Sequence, residues 1–413
     1  MIRLIGNTFL LLILLVSGAL STFAWDDVGH KITGYIAWQR MSPAARENVI
    51  KILRAAPEDS QLATFYMSYG AEPEETRKRE FFMLTATWAD IVRDRGFKTR
   101  FEKYHKGNWH YADTFWKQVG GKVEELSGLP EGGLGVEKLI ELDKVIRDPL
   151  ASNGDKAIAI AWIMHIGGDL HQPLHTSARV TDLEPKGDQG GNLFLLSPPG
   201  VKRADQVNLH WFWDSITGRN IPLKGEQCER DYIEPIAQQI MKKYPFEKVQ
   251  THLKLGQYDA WQKEGFALNP TAVFSSDLKR NEMPSDKYRK NAFEVSERQF
   301  AMAGYRLGET LNAIFGAPAV TPVASTAACQ VIRRIMYPVF KKQTRENTAK
   351  AKPTIAALNI CPTGPAARPT ILVEAEGKKT ARAFDVAKVF ASEEEAKAYA
   401  SNNAITDVKF ELQ

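Results

Sequence analysis

The chain has 413 residues, 44% hydrophobic and 25% charged, with 54 Lys+Arg against 49 Asp+Glu for a net charge of +5. That balance belongs to a folded globular protein with room for one large domain and a smaller one, and it excludes a disordered or fibrous chain. A surplus this small does not identify a nucleic-acid binder by net charge, and three cysteines without a Cys-x-x-Cys pair exclude a thiolate zinc site. Any metal bound here has nitrogen and oxygen ligands.

Residues 8–20 (TFLLLILLVSGAL) form an unbroken apolar run behind Arg3, and Thr22 and Ala24 supply small residues before a cut after Ala24. This is the anatomy of a secretory signal peptide, and the run falls short of the roughly 20 residues that a membrane span needs. Residues 1–24 are therefore expected to be removed on export to the periplasm or the exterior, leaving Trp25 with a free amine. No other stretch approaches membrane length, so no stable membrane association is expected. In an oxidising compartment Cys329 and Cys361 are candidates to pair and leave Cys228 over, but three cysteines leave the connectivity open.

From Trp25 to residue 316 apolar residues recur at helical spacing, in 29–54, 135–148, 155–171, 230–243 and 291–315. Ser42-Pro43 reads as a capped helix start, and the glycine-rich stretches Leu129–Gly135 and Lys186–Gly191 read as loops. Sustained strand alternation is absent. The expectation is a mainly all-α, compact multi-helix domain over 25–316.

After Ala317 prolines punctuate a linker-like basic segment, 317–366, around the apolar stretch Cys329–Phe340. Residues 367–413 read as a small α+β module: strands at Ile371–Ala375 and Ala381–Phe390, a helix capped by Ser392, and a last strand at Asp407–Leu412. Residues 317–413 hold 14 Lys+Arg and 9 Asp+Glu, so the surplus of the whole chain sits there. A solvated linker face explains that run better than a grip on polyanions.

The chemistry lies in the histidines. His165 and Asp169 stand four apart, as do His210 and Asp214, a spacing that stacks an imidazole and a carboxylate on one helix face. His175 follows a Gln-Pro-Leu break, His30 lies five after Trp25, and His110 and Asp90 sit in Trp109-His110-Tyr111-Ala112-Asp113 and Trp88-Ala89-Asp90. Such groups set in aromatic and apolar sequence are costly to bury unless paired or metal-bound. Any one pair arises by chance, whereas the set favours a multi-metal hydrolase over hydrogen-bonded core histidines.

Taken together, Trp25-x4-His30, Trp88-Ala89-Asp90-x2-Arg93, His110-x2-Asp113, His165-x3-Asp169-x5-His175, Gly190-Gly191-Asn192 and His210-x3-Asp214 resemble the S1/P1 family of trinuclear-zinc, single-strand-specific nucleases, relatives of the zinc phospholipases C. The resemblance spans Trp25 to about Phe315, with a longer spacer between His175 and His210, and leaves the tail uncovered. It implies three zinc ions: one on Asp90, His110, His165 and Asp169, one on the amine and carbonyl of Trp25 with His30 and a bridging Asp169, and one on His175, His210 and Asp214. It further implies that Arg93 binds phosphate, that Tyr111 stacks on a base, and that Asp113, Gly190 and Asn192 line the base pocket. On this reading the chain hydrolyses single-stranded DNA and RNA to 5′-phosphate products, with 3′-nucleotidase activity as an accompaniment. Its partner is a single-stranded nucleic acid or nucleotide, with no obligate protein partner.

A phospholipase C on the same scaffold is the first alternative, but there the carboxylate of the third zinc is typically Glu, whereas Asp214 stands here. A non-catalytic zinc-dependent binding module is the second.

Overall fold

A computed structural model describes residues 25–316, apart from 128, 130–131 and 226–227, and beyond 316 only the strand segments given below. The signal-peptide expectation for 1–24 and the helix expected after Ser392 lie outside the described residues.

Helices dominate residues 25–316, and their starts follow from local capping chemistry. Helix α1 (Asp27–Arg40) opens where the side chain of Asp26 accepts the amide of Gly29 at 3.1 Å, and α2 (Pro43–Leu53) where Ser42 accepts that of Ala45 at 3.2 Å, with proline at the first position. After α3 (Glu74–Thr85), α4 (Trp88–Ile91), α5 (Lys98–Tyr104) and α6 (Gly135–Arg147) comes α7 (Asn153–Asp169), capped by Ser152. The rest are α8 (Leu209–Asp214), α9 (Ile216–Asn220), α10 (Glu229–Lys243), α11 (Phe246–Val249), α12 (Tyr258–Ala267) and α13 (Asp286–Phe315). The helix windows read from the sequence match α1 with α2, α6, α7, α10 and α13.

Packing brings the chemistry-bearing helices together. From Ala159 to Asp169 every residue of α7 is buried, so this mostly apolar stretch carries His165 and Asp169 into the core. Helix α1 lies against α13 at Gly304 and Gly308, where a Cβ on Gly304 would meet Ile36 Cβ at 2.5 Å. Trp38, Trp88 and Trp162 anchor one apolar cluster; Trp25, Trp213 and Phe300 anchor the other. Each such side chain removed from water contributes roughly 1.5–3 kcal/mol, which offsets the cost of the polar groups buried among them.

A small sheet interrupts the helices. Strands β1 (Thr114–Val119) and β2 (Lys122–Glu125) form an antiparallel hairpin, and β3 (Ser177–Arg179) runs parallel to β1 with Ser177 opposite Thr114. Gly120 and Gly121 turn the hairpin with φ of +55° and +80°, the left-handed pair that a two-residue loop demands. The sequence hides these strands because Trp116 is the one fully buried residue in β1 and β2 is exposed throughout.

In the tail, the stretch read as linker-like carries β4 (Cys329–Met336) and β5 (Thr354–Ile360), paired antiparallel. Strands β6 (Thr370–Ala375) and β7 (Lys378–Ala383) form a separate hairpin. The short β8 (Lys388–Phe390) and β9 (Asp407–Val408) flank β4 and β5. Among the described residues no helix is long and apolar enough to cross a membrane.

Candidate metal centre

The start of the described chain is folded inward. Trp25 is fully buried, its indole Nε1 donating to the carbonyl of Gly168 at 3.1 Å and its ring tilted against Phe300. The next amide, of Asp26, donates to the carbonyl of Asp214 at 3.2 Å. The Trp25 backbone is thus held between α7 and α8, the helices that carry the two His-x3-Asp pairs.

Around it stand the imidazoles and carboxylates. Asp169 is central: Oδ1 lies 3.2 Å from His30 Nε2, while Oδ2 lies 3.3 Å from His110 Nδ1 and 3.4 Å from His165 Nε2. His30 stacks on His165 with ring centroids 4.0 Å apart. Asp90 Oδ1 faces the same rings, 3.6 Å from His165 Nε2 and 3.9 Å from His110 Nδ1, and receives Arg93 Nη2 at 2.9 Å. A second cluster follows along the chain, with His210 Nε2 3.4 Å from Asp214 Oδ2 and His175 Nε2 3.8 Å from Asp214 Oδ1. Three groups among the described residues are able to hold a metal ion: His30 with Asp90 and His165, His110 with His165 and Asp169, and His175 with His210 and Asp214. All nine residues expected as ligands therefore meet in one region, as does Arg93.

Backbone carbonyls set the rings. His165 Nδ1 donates to the carbonyl of Ala86, His175 Nδ1 to that of His110, and His210 Nδ1 to that of Gly190, each at 2.7 Å. Each bond fixes the tautomer that leaves Nε2 with a lone pair aimed at the cluster, as a metal-binding histidine needs. Gly190 has to be glycine: its φ is +60°, and a Cβ would meet the carbonyl of Leu174 at 2.4 Å.

The donor set fits a cation. Asp169 Oδ1 and Oδ2, His175 Nε2 and Asp214 Oδ2 are buried without a hydrogen-bond partner, a costly arrangement for the protein alone. Burial pushes the carboxyls of Asp169 and Asp214 up to about 7 and pulls His30 and His165 down to about 4. It also holds His110 well below its ordinary value. Neutral imidazoles with charge-starved carboxylates form a nitrogen and oxygen ligand set for a divalent ion such as zinc.

Beside the second cluster opens a cavity of about 380 Å³, lined by Tyr111, Asp113, Phe115, Lys186, Gly190 and Asn192 and walled by His175 and His210. The four residues expected to read a base thus share it. The glycine-rich loop supports Tyr111, since a Cβ on Gly133 would meet the tyrosine ring at 2.5 Å. Burial, followed by the neighbouring Asp188, raises the Asp113 carboxyl well above the usual range.

Several residues that the sequence reading passed over hold this arrangement. Gln172 donates from Nε2 to Asp214 Oδ1 at 2.7 Å and accepts the amide of Leu174. Asn208 caps α8 by accepting the amide of Trp211 and donates to Asn192 Oδ1 at 3.3 Å. Gln262 reaches the carbonyls of Ala112 and Thr176, joining the two segments that carry His110 and His175. Only the Gln-Pro break before His175 hinted at any of them. His171 lies instead against Arg306, 2.7 Å from its Nη1.

The family model described as S1/P1 nuclease matches residues 25–316. The chain is 22% identical over 317 residues to nuclease S1 of Aspergillus oryzae, covering 72% of this chain and 94% of that protein. It is 29% identical over 175 residues to endonuclease 5 of Arabidopsis thaliana, covering 38% of this chain and 51% of that protein. Among solved structures, Clostridium perfringens alpha-toxin aligns with a TM-score of 0.29 and 10% identity, covering 84% of this chain and 79% of that one. With the family model covering most of the chain, the protein belongs to the S1/P1 nuclease family and is a nuclease by membership.

Proposed function

We propose that the processed chain is a three-zinc hydrolase that cuts single-stranded DNA and RNA to 5′-phosphate products and also takes 3′-mononucleotides. The observation that carries the reading is Asp169, whose two carboxylate oxygens face His30 on one side and His110 with His165 on the other. So placed, this carboxylate would be able to hold two metal ions at once. His175, His210 and Asp214 offer a further site at the wall of the cavity. When bound, zinc supplies Lewis acidity and a water acidic enough to ionise near neutral pH.

The protein's own groups do the rest. Arg93, held against Asp90, offsets charge on the scissile phosphate. Tyr111 presents an aromatic face to one base, while Asp113, Gly190 and Asn192 surround its polar edge. A base must leave its stack to enter this cavity, so single strands are preferred. Export with cleavage after Ala24 belongs to the same reading, because Trp25 is buried against α7, where a free amine serves as a ligand.

The test is to incubate the processed, zinc-loaded protein with single-stranded DNA, RNA and phosphatidylcholine vesicles in parallel. Cleavage of the nucleic acids to 5′-phosphorylated fragments is expected. Lipid turnover without nucleic-acid cleavage would replace this reading with a phospholipase, and inactivity on all three would favour a binding module.

A further inference from the structure

The base cavity and the metal-ligating side chains leave one cationic ledge unexplained. It begins at Arg93, which reaches Asp90 from the turn after α4, and continues into the segment that leads to His110. Asp94, the acid of that turn, spends Oδ1 on the amide of Gly96 at 2.8 Å, while Arg95 beside it is exposed. The Arg95 guanidinium lies 5.1 Å from the centre of the Phe101 ring. His105 stacks on that same ring at 4.8 Å and 20°. Its Nδ1 is buried without a hydrogen-bond partner. Burial first, and then the positive charges of Arg93, Arg95 and Lys106, pull the His105 imidazole below its ordinary value. Glu102, the other nearby acid in sequence, pairs with Lys98.

None of these groups lines the base cavity, which adjoins His175 and His210. The reaction centre therefore has a base pocket at one end and a cationic ledge at the Asp90 end. A mononucleotide needs only the first. A strand has further phosphates, and planar guanidinium groups suit their oxygens.

We infer that Arg95, His105 and Lys106 form a second phosphate subsite, which takes the backbone phosphate immediately 3′ of the scissile one. The assignment rests on the proposed nuclease reading, in which the cavity holds the nucleotide on the 5′ side. Its consequence is specificity for length: the ledge makes a polynucleotide a better substrate than a fragment with a single linkage. Arg95 and Lys106 supply charge, and His105, stacked on the same Phe101 ring as Arg95, supplies a polar ring.

The test compares the processed zinc enzyme with the Arg95→Ala/Lys106→Ala double variant on three substrates. These are a dinucleoside monophosphate, which has only the scissile linkage, a trinucleotide, and the same trinucleotide with a neutral methylphosphonate at its second linkage. Wild type is expected to prefer the charged trinucleotide about tenfold in kcat/KM, mainly through KM, over both other substrates. The double variant is expected to lose that preference while its dinucleotide rate and zinc content stay within twofold of wild type. On longer strands its salt dependence should weaken by about 0.7 in slope for each lost contact. An active wild type whose preference survives the double substitution, or a variant that loses dinucleotide activity equally, would overturn the subsite alone. A wild type inactive on all three would overturn the nuclease reading and the subsite with it.

Discussion

The backbone amide of Asp26 donates to the carbonyl of Asp214 at 3.2 Å, tying the residue after Trp25 to the helix that carries His210. With Trp25 fully buried beside it, the amine proposed as a ligand is lost to a peptide bond when any residue precedes Trp25. A chain beginning Met-Trp25 is expected to lose at least about tenfold in activity, equivalent to about 1.4 kcal/mol of transition-state stabilisation, together with one bound zinc. Full turnover by that chain, measured beside protein beginning at Trp25, would contradict the role given to the amine.

Asp169 faces two groups of imidazoles, through Oδ1 to His30 and through Oδ2 to His110 and His165. Asp169→Asn should therefore remove more than one metal ion per chain and lower kcat by several orders of magnitude. Metal content read on the purified variant decides this. Loss of a single ion would place Asp169 on one metal only.

Gln172 tests the shell behind the ligands. Its Nε2 holds Asp214 Oδ1 at 2.7 Å, so Gln172→Ala frees that carboxylate to turn. Affinity for the zinc proposed on His175, His210 and Asp214 is expected to fall about 10- to 100-fold, with far-UV circular dichroism unchanged. Unchanged affinity would show that the position of Asp214 is fixed by packing.

Metal binding should depend on pH in a direction that the burial sets. Asp169 and Asp214 stand at about 7 in the protein alone, so below that pH a metal ion must displace their protons. His30 and His165 stand at about 4 and are already neutral ligands above it. Zinc affinity is therefore expected to rise from pH 5 to 7 with net proton release and to level off above 7. Competition titrations against a chelator of known affinity would show it, and affinity that does not change between pH 5 and 8 would contradict it.

Tyr111 lines the cavity in contact with the Gly132–Gly133 loop. Tyr111→Ala is expected to raise KM for single strands roughly 10- to 100-fold, the worth of one stacked base, and to leave zinc content intact. An unchanged KM would assign the ring to packing.

How much of this was legible in the sequence depended on whether the signal was local. The helix windows and the two His-x3-Asp pairs were readable because helical period and i, i+4 spacing are short-range properties. The hairpin at Gly120-Gly121 was missed because β2 buries nothing and so writes no alternation. Gln172, Asn208 and Gln262 were invisible for another reason: their partners, Asp214, Asn192 and Thr176, become neighbours only through tertiary packing. The carbonyls of Ala86, His110 and Gly190 that orient the rings carry no side-chain signature at all. In the tail, prolines suggested a linker where β4 and β5 pair.

Elemental analysis of protein that begins at Trp25 and has been dialysed against zinc bears most directly on the whole account. Three zinc ions per chain, with single-strand cleavage that is lost on chelation and restored by zinc, are expected. One ion or none, with cleavage unaffected by the chelator, would show that these buried imidazoles and carboxylates serve another purpose.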